Sequence, residues 1–371
     1  MNLTNSVKSN NLIIANLVKA LFALPRLNLL SDSLFFFLEK SIRLAIDRVP
    51  GLSNLPRVKE DKYYMLRAML NSGLRAKVSS RFANTIVRNA ILSDLRLRQE
   101  ERFRKTFEYD PPGFLTISPN KACNLRCYSC YANSATEADR LDYSVFNRIV
   151  SDIKSLWGGR FVVISGGEPL MYKSDGKTVI DLFEEHKDSL FLMYTNGLLI
   201  KSEIVKKMAQ LSNITPAISI EGLRETTDQR RGDGVFDRIL MVMDRLRNER
   251  IPFGISVTAT RRNSEEIVSD EFIDFFFKKM GAAYGWIFHY MPIGRDVDPD
   301  LIPTPDQRVH MWERTWEIIR EKKYMYADFW NHGTVSDGCI SAGRSGGYFY
   351  IDWSGNVYPC VFFPYAVTNI Y

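Results

Sequence analysis

Three cysteines, Cys123, Cys127 and Cys130, lie close together in the segment KACNLRCYSCY. The chain of 371 residues has only five cysteines, so more than half of them fall in this short segment. With the spacing C-x3-C-x2-C, the three thiolates can converge on one side of a loop. A [4Fe–4S] cluster normally takes four thiolates, so three would leave one iron free to bind a small molecule. The spacing therefore predicts a catalytic iron–sulfur cluster.

Two other interpretations of the cysteine trio are simpler. A structural zinc site usually pairs C-x2-C with a second pair of Cys or His ligands, but no histidine lies within 50 residues of the trio. The other alternative is three unrelated buried cysteines. A chain so poor in cysteine makes that grouping less expected.

The remaining two cysteines, Cys339 and Cys360, lie in DGCISAGRSGGYFYIDWSGNVYPC. The run from Tyr348 to Tyr358, with a turn at Gly355, predicts a β-hairpin that brings both cysteines together. Two thiolates cannot hold a cubane cluster alone. We expect that the sequence is a fragment whose continuation completes a site, or that the site is vestigial or differently ligated. Two buried structural cysteines are the simpler alternative.

The elements that must position the trio follow Asp110-Pro111-Pro112-Gly113, where paired prolines mark a boundary. β-rich runs predict strands at Phe114–Ser118, Phe161–Ser165, Leu190–Thr195, Thr215–Ile220, Phe253–Thr258 and Tyr284–Tyr290. Helical patterns separate them at Tyr143–Leu156, Thr178–His186, Ser202–Leu211, Val235–Asn248 and Asp270–Met280. Six such alternations predict an α/β fold with a parallel sheet. Because a full barrel has eight units, we expect an open, partial (β/α)6 TIM-like barrel.

Polar and glycine-rich motifs follow the predicted strands where a parallel barrel gathers its chemistry, at the carboxyl ends. The cysteine trio follows the first strand. The later motifs are Ser165-Gly166-Gly167-Glu168-Pro169, Thr195-Asn196-Gly197, Ser219-Ile220-Glu221-Gly222 and His289-Tyr290-Met291-Pro292-Ile293-Gly294. Each alone is only a turn sequence. Their serial order at five strand ends indicates one shared binding site.

From about Gly113 to Arg295, these motifs resemble the core of the radical S-adenosylmethionine (SAM) enzymes. The resemblance implies that the trio ligates three irons and that SAM binds the fourth through its amino and carboxylate groups. It further implies that Gly166, Gly167 and Glu168 border the amino group of SAM. Thr195, Ser219 and Glu221 would lie near the ribose. Arg231 would meet the carboxylate, and the backbone of Met291 would contact adenine. One departure is Ser129, which stands where the family often has an aromatic residue.

The resemblance also implies a reaction. A reduced cluster cleaves SAM to methionine and a 5′-deoxyadenosyl radical, which abstracts a hydrogen atom from a C–H bond. An electron donor of the flavodoxin or ferredoxin type would reduce the cluster. The pattern C-x15-G-x4-C resembles the start of a SPASM or twitch extension, which holds an auxiliary [4Fe–4S] cluster and implies a peptide, protein or cofactor precursor as substrate. The rival function is a non-catalytic iron–sulfur protein for electron transfer or redox sensing.

The first third of the chain has a different character. Residues 1–105 carry 19 Lys and Arg against 8 Asp and Glu, whereas the whole chain has a net charge of +6. Helical patterns are expected at Leu12–Leu24, Ser33–Arg48 and Asp61–Phe107. We expect a helical region packed on the enzyme, or an amphipathic basic surface that contacts an anionic membrane or acts on a lipid. Nothing beyond charge suggests nucleic acid, and none is expected as a partner.

The predicted organisation has four parts: a basic, mostly helical region at 1–110, the radical SAM core at 111–300, a connecting helix or linker at 301–335, and the start of the auxiliary-cluster module at 336–371. No uncharged apolar stretch approaches the roughly 18 residues of a membrane span, and no signal peptide is evident. Iron ligation by thiolates requires a reducing compartment. We therefore expect a cytoplasmic protein, with membrane association through the basic region as the further expectation.

Overall fold

The structure is a computed structural model that describes Lys40, Arg43, Ile46 and residues 55–86, 88–89, 94–136 and 139–371. The helix expected at Leu12–Leu24 lies outside the described residues. Of the helix expected at Ser33–Arg48, only the three isolated residues are described, each in helical conformation.

Twelve strands occur in the described residues. They are β1 (Phe114–Ile117), β2 (Phe161–Ile164), β3 (Lys173–Ser174), β4 (Lys177–Thr178), β5 (Leu190–Thr195), β6 (Ile214–Ile220), β7 (Gly254–Ala259), β8 (Tyr284–His289), β9 (Tyr326–Asp328), β10 (Tyr348–Ile351), β11 (Asn356–Tyr358) and β12 (Thr368–Asn369). The α-helices of the same part of the chain are α1 (Pro56–Arg75), α2 (Ser80–Ile86), α3 (Asp94–Phe107), α4 (Tyr143–Trp157), α5 (Val179–Glu185), α6 (Ser202–Leu211), α7 (Arg224–Arg231), α8 (Val235–Asn248), α9 (Asp270–Ile273), α10 (Pro305–Glu317) and α11 (Gly333–Ser336). Wider π-helical turns extend α9 through Asp274–Lys279 and α10 through Ile318–Lys322.

The six predicted strands form the centre of one sheet, β1-β2-β5-β6-β7-β8, and every neighbouring pair is parallel. Their order in the sheet is their order in the chain, which confirms the predicted α/β fold. The sheet ends at β9 on one side and β12 on the other. The region Asp61–Phe107 contains parts of three helices, and residues 76–79 between the first two are not helical.

Two further segments extend this sheet. Strand β9, in the part of the chain predicted to be a helix or linker, pairs parallel with β8. The expected hairpin of β10 and β11 is confirmed, with Gly355 in the turn at φ +77°. Strand β10 also pairs parallel with β1, with Tyr348 opposite Phe114. The hairpin that follows Cys339 is therefore continuous with the central sheet.

Alternate side chains of the strands point to opposite faces of the sheet. One set, including Leu115, Ile117, Val162 and Ile164, is fully buried in the main hydrophobic core together with the apolar faces of the helices. The other set, which includes Phe114, lines a cavity on the concave face. The curvature of the sheet therefore separates a closed core from an open chamber.

Helix α4 shows how the sequence forms the outer layer. Its buried residues recur at helical spacing, and they include Val145, Phe146, Ile149 and Ile153. Burying each such side chain contributes roughly 1.5–3 kcal/mol. The helix ends at Gly158, whose φ of +75° is the left-handed conformation that favours glycine.

The helices of the first third pack against the same body. On α3, Phe103 lies edge-on to Trp157 of α4, with 6.4 Å between ring centroids. On α1, the buried carboxylate of Asp61 accepts hydrogen bonds from Arg320 at 2.9 Å and from the Thr334 hydroxyl at 2.8 Å. These contacts fix α1 against the end of α10 and against α11, and Met65 of α1 lines the cavity wall.

Candidate active site

A cavity of about 580 Å³ lies on the concave face of the sheet. Side chains from β1, β2, β5, β6, β7, β8 and β9 contribute to its wall, together with the loops at their carboxyl ends. All three cysteines of the trio line it. The three thiols and the strand-end motifs therefore border one chamber.

The cysteine loop is held by backbone contacts from the last strand-end motif. Arg295, which is largely buried, donates from its backbone N–H to the carbonyl of Cys130 at 3.0 Å and from its guanidinium to the carbonyl of Cys127 at 2.9 Å. Gly294 has φ +86°, and a Cβ there would lie 2.2 Å from the Cys130 carbonyl oxygen. The Met-Pro-Ile-Gly turn therefore requires glycine in order to pack under the cysteine loop.

The electrostatics of the trio indicate a site for positive charge. The pKa of the Cys123 thiol is raised to about 11, mainly by burial; the Leu125 N–H opposes the rise, and the nearby Glu168, Cys127 and Cys130 contribute to it. All five cysteines are free thiols. Three soft sulfur donors that line one cavity suit iron in a cluster. Within the described ranges, no three or more His, Cys, Asp or Glu side chains form a site for a single bare metal ion.

The Gly-Gly-Glu motif packs directly on the cysteine loop. A Cβ on Gly167 would lie 2.1 Å from the carbonyl oxygen of Ala122, and one on Gly166 would lie 2.6 Å from that of Asn120. Both glycines line the cavity. The backbone N–H of Gly167 donates to the Asn120 carbonyl at 3.0 Å, and that of Glu168 donates to the Ala122 carbonyl at 2.7 Å. These close approaches leave no room for side chains, and they fix the loop that carries the trio.

Glu168 is fully buried and does not line the cavity. Its carboxylate accepts from the Thr195 hydroxyl at 2.8 and 2.9 Å, from the Asn196 N–H at 2.9 Å and from the Leu170 N–H at 3.2 Å. Burial raises the pKa of Glu168, and the same hydrogen bonds act against the rise. In this structure the carboxylate joins the second and third strand-end motifs. Its contact with the SAM amino group stays a prediction.

The other predicted SAM contacts divide into two groups. Thr195, Ser219, Arg231 and Met291 line the cavity. Glu221 is buried beneath it, where its carboxylate pairs with Arg230 at 2.6 Å and Arg231 at 2.5 Å. Burial lowers the pKa of Arg231, but the charges of Glu221, Cys127 and Cys130 outweigh it, so the net shift is upward. Arg231 is therefore a fixed positive charge beside the cysteine loop.

Several residues of the site were not singled out from the sequence. The Asn196 amide lies 3.7 Å from the Cys123 sulfur and 2.8 Å from the Asn124 side-chain oxygen. The hydroxyl of Tyr131 lies 2.7 Å from that of Ser165. The Thr-Asn-Gly motif was a signal for Asn196. No sequence signal linked Tyr131 to the second strand end, because that contact depends on how the loop folds.

Of the two C-terminal cysteines, Cys360 lies against Tyr348 of β10. The Cys360 sulfur lies 3.1 Å from the Tyr348 hydroxyl. Burial raises the pKa of Tyr348, and the nearby Cys360 and Cys339 add to the rise. Cys339 is exposed, and hydrogen bonds from Ser341 lower its pKa. The pairing of the two cysteines and their role as iron ligands both stay predictions.

The fold and the cysteine site define a class of protein. The profile of the radical SAM superfamily matches residues 117–270. The chain belongs to the radical SAM superfamily and is a radical SAM enzyme; this family uses a [4Fe–4S] cluster together with SAM. The non-catalytic alternative and the zinc interpretation are therefore set aside.

Two curated relatives illustrate the family. An AdoMet-dependent heme synthase of Methanosarcina barkeri is 28% identical over 291 residues, which cover 70% of this chain and 79% of that protein. The mycofactocin maturase MftC of Mycolicibacterium smegmatis is 30% identical over 276 residues, which cover 70% of this chain and 66% of that protein.

Solved structures share the fold. Streptococcus suis SuiB bound to S-adenosylmethionine matches with a TM-score of 0.58 and 21% identity, covering 84% of this chain and 78% of that chain. The structure of anSMEcpe with bound AdoMet matches with a TM-score of 0.56 and 17% identity, covering 70% and 78%. No helix among the described residues is long and apolar enough to cross a membrane.

Proposed function

We propose that this enzyme holds a [4Fe–4S] cluster through Cys123, Cys127 and Cys130, cleaves SAM reductively, and modifies a peptide or a peptide-derived cofactor precursor. The observation that carries the proposal is the single cavity, which joins the three thiols and four strand-end motifs to a chamber of about 580 Å³. When bound, cluster and SAM supply a carbon-centred radical that abstracts a hydrogen atom from substrate.

The chain's own residues have three tasks in this reaction. The three thiolates would hold iron, and Asn196, with its amide 3.7 Å from the Cys123 sulfur, would orient one of them. Arg231 presents its positive charge where the carboxylate of SAM would lie, held there by Glu221 at 2.5 Å. Apolar side chains such as Phe288 and Phe362 line the rest of the chamber and exclude water from a reactive radical.

The substrate class rests on the relatives and on the shape of the site. The named relatives include maturases and a heme synthase, and SuiB has been seen with its precursor peptide. A chamber lined mainly by aromatic and aliphatic groups suits an apolar side chain delivered on a peptide. We further propose an auxiliary cluster with Cys339 and Cys360 as two of its ligands, and a flavodoxin or ferredoxin as electron donor in a reducing, cytoplasmic compartment.

A lipid-like substrate is the second candidate, and α1 is the feature that favours it. Met65 and Met69 line the cavity, while Met69 and Leu66 are 47% and 42% exposed. Apolar side chains of α1 therefore reach both the chamber and the surface of a basic region. Sedimentation with anionic phospholipid vesicles tests peripheral membrane contact. Residues 1–105 should be required for co-sedimentation, and an unchanged partition without them would remove this candidate.

Reductive cleavage of SAM tests the main proposal. After anaerobic reconstitution, dithionite and SAM should yield 5′-deoxyadenosine, measured by chromatography. Cys127→Ala should abolish the product and lower the iron content, because two thiolates cannot hold the cluster. If wild-type protein with a full cluster forms no 5′-deoxyadenosine, the proposed reaction is wrong. If Cys127→Ala still cleaves SAM, the ligand assignment is wrong.

A further inference from the structure

Two histidines and a carboxylate form a buried group on the cavity wall. His289 ends β8, Asp328 ends β9, and His332 follows four residues later. All three line the cavity, and each is no more than 6% exposed. The His289 Nε2 lies 2.9 Å from the Asp328 Oδ2. His289 opens the last strand-end motif, but none of the three residues is among those expected to contact SAM.

His332 has a structural role, because both of its ring nitrogens are engaged. Its Nδ1 accepts the backbone N–H of Asp328 at 3.2 Å, so the ring proton is on Nε2. That nitrogen lies 3.0 Å from the Thr315 hydroxyl, which itself donates to the Met311 carbonyl at 2.7 Å and is free to accept. Burial lowers the pKa of His332 to about 4, although Asp328 opposes the shift. The ring is therefore neutral and fixed.

His289 is bound on one side only. Its Nε2–H donates to the Asp328 carboxylate, and among the described residues no hydrogen-bond partner reaches Nδ1. Asp328 accepts from the Trp330 and Asn331 N–H groups at 3.0 and 2.9 Å. Burial raises the pKa of Asp328, but the contacts with His289, Asn331 and His332 together outweigh burial, and the net shift is downward. An ionised carboxylate thus fixes the tautomer of His289 and leaves the lone pair of Nδ1 available.

The surroundings of His289 are otherwise apolar. Phe288 and Phe329, neighbours in sequence of His289 and Asp328, line the same chamber, as does Phe362. The Trp330 ring lies 5.7 Å from the imidazole. A proton acceptor in such a wall has few polar side chains nearby to bind. It is therefore available to a polar group of a bound substrate.

We propose that His289, oriented by Asp328, is a proton-transfer residue that acts on the substrate in this cavity. In this step an X–H bond of the substrate, where X is nitrogen, oxygen or sulfur, breaks. The proton forms a bond with Nδ1, and the electron pair stays on X. No electron is exchanged, and the imidazolium that forms is stabilised by the carboxylate. The substrate is then an apolar, aliphatic or aromatic side chain that carries one polar X–H group.

This inference rests on the proposed function only in taking the cavity as the substrate site. Carbethoxylation by diethylpyrocarbonate, mapped by peptide mass spectrometry, tests it on the reconstituted holoenzyme without SAM. The reagent needs an unprotonated ring nitrogen that it can reach. The chain has four histidines. The ring nitrogens of His186 are engaged by Lys154 at 2.8 Å and Asn147 at 2.5 Å, so His186 and His332 should both be protected.

We expect His289 to react at least about tenfold faster than His332, because of these two residues only His289 has an unengaged ring nitrogen. Asp328→Asn should slow His289 by at least about tenfold, since the amide donates to Nε2 and moves the ring proton to Nδ1. His310→Gln, at an exposed histidine, is the control and should leave the rate at His289 unchanged.

Protection of His289 equal to that of His332, or an unchanged rate in folded Asp328→Asn, would overturn the proposal. If the variant does not fold, the ratio of the two histidines in wild-type protein still decides. Formation of 5′-deoxyadenosine is measured in parallel. A reactive His289 in a protein that cleaves no SAM would remove the proposed function and leave the proton-transfer group standing.

Discussion

Gly167→Ala should damage the cluster site through a single methyl group. The new Cβ would lie 2.1 Å from the carbonyl oxygen of Ala122 and 2.5 Å from that of Lys121, where ordinary van der Waals contact begins at 3.4 Å. Both are backbone atoms next to Cys123, so relief of the clash must displace the cysteine loop. Overpacking of this kind costs about 1–3 kcal/mol and occasionally more.

With the obstructing atoms belonging to the backbone, we expect the upper end of that range, about 3 kcal/mol. In a domain of 150–250 residues this lowers the melting temperature by about 6–12 °C. The assays are thermal unfolding and iron per protein after anaerobic reconstitution, and the iron content should fall with the melting temperature because the same loop carries the ligands.

Gly333→Ala is the matched control. It adds the same methyl group, and the nearest atom to the new Cβ is 3.8 Å away, at the Cα of Gly338. Its stability should stay within about 0.5 kcal/mol of wild type. If Gly167→Ala retains full iron content and has the same melting temperature as Gly333→Ala, the packing of the Gly-Gly-Glu motif does not fix the position of the cysteine loop.

Two further predictions concern buried charge. Glu221→Ala should lower the free energy of unfolding by about 3–5 kcal/mol, because it removes the carboxylate that pairs with Arg230 and Arg231 in the interior. Urea unfolding measures this loss. Asp237→Ala, at an exposed carboxylate, is the control and should have no effect. Stability should fall as pH drops from about 6.5 towards 4, since the pKa of His332 is about 4 when folded and near 6.5 unfolded. Between pH 7 and pH 4, the free energy of unfolding should fall by about 3 kcal/mol less in His332→Gln than in wild type. The same pH dependence in both proteins would contradict a neutral buried ring.

The sheet could be predicted because its signal is local. The six central strands are short β-rich runs, and each begins and ends within one residue of the predicted bounds. Strand β9 could not be found in this way. Tyr326–Asp328 has only three residues, too few for a pattern with a period of two, and its pairing with β8 comes from tertiary packing.

The motifs predicted where the site is, but not which way each side chain points. Gly166, Gly167, Thr195, Ser219, Arg231 and Met291 all line the cavity with the cysteine trio. Glu168 and Glu221 lie behind it, because a buried carboxylate must find several donors and both found them within the protein. The pairing of His289 with Asp328 spans 39 residues, and it exists only because β9 lies beside β8.

The C-terminal hairpin gives a prediction that separates the two iron sites. The Cys360 sulfur contacts Tyr348 of β10, whereas the trio is held by Arg295 and the Gly-Gly-Glu motif. Cys360→Ala should therefore leave reductive SAM cleavage intact while it lowers total iron and abolishes substrate turnover. Electron paramagnetic resonance and 5′-deoxyadenosine formation measure the two effects, with Cys127→Ala as the opposite case. Loss of SAM cleavage in Cys360→Ala would show instead that the core site needs this hairpin. The effect of the substitution would then have to reach the cysteine trio through the pairing of β10 with β1.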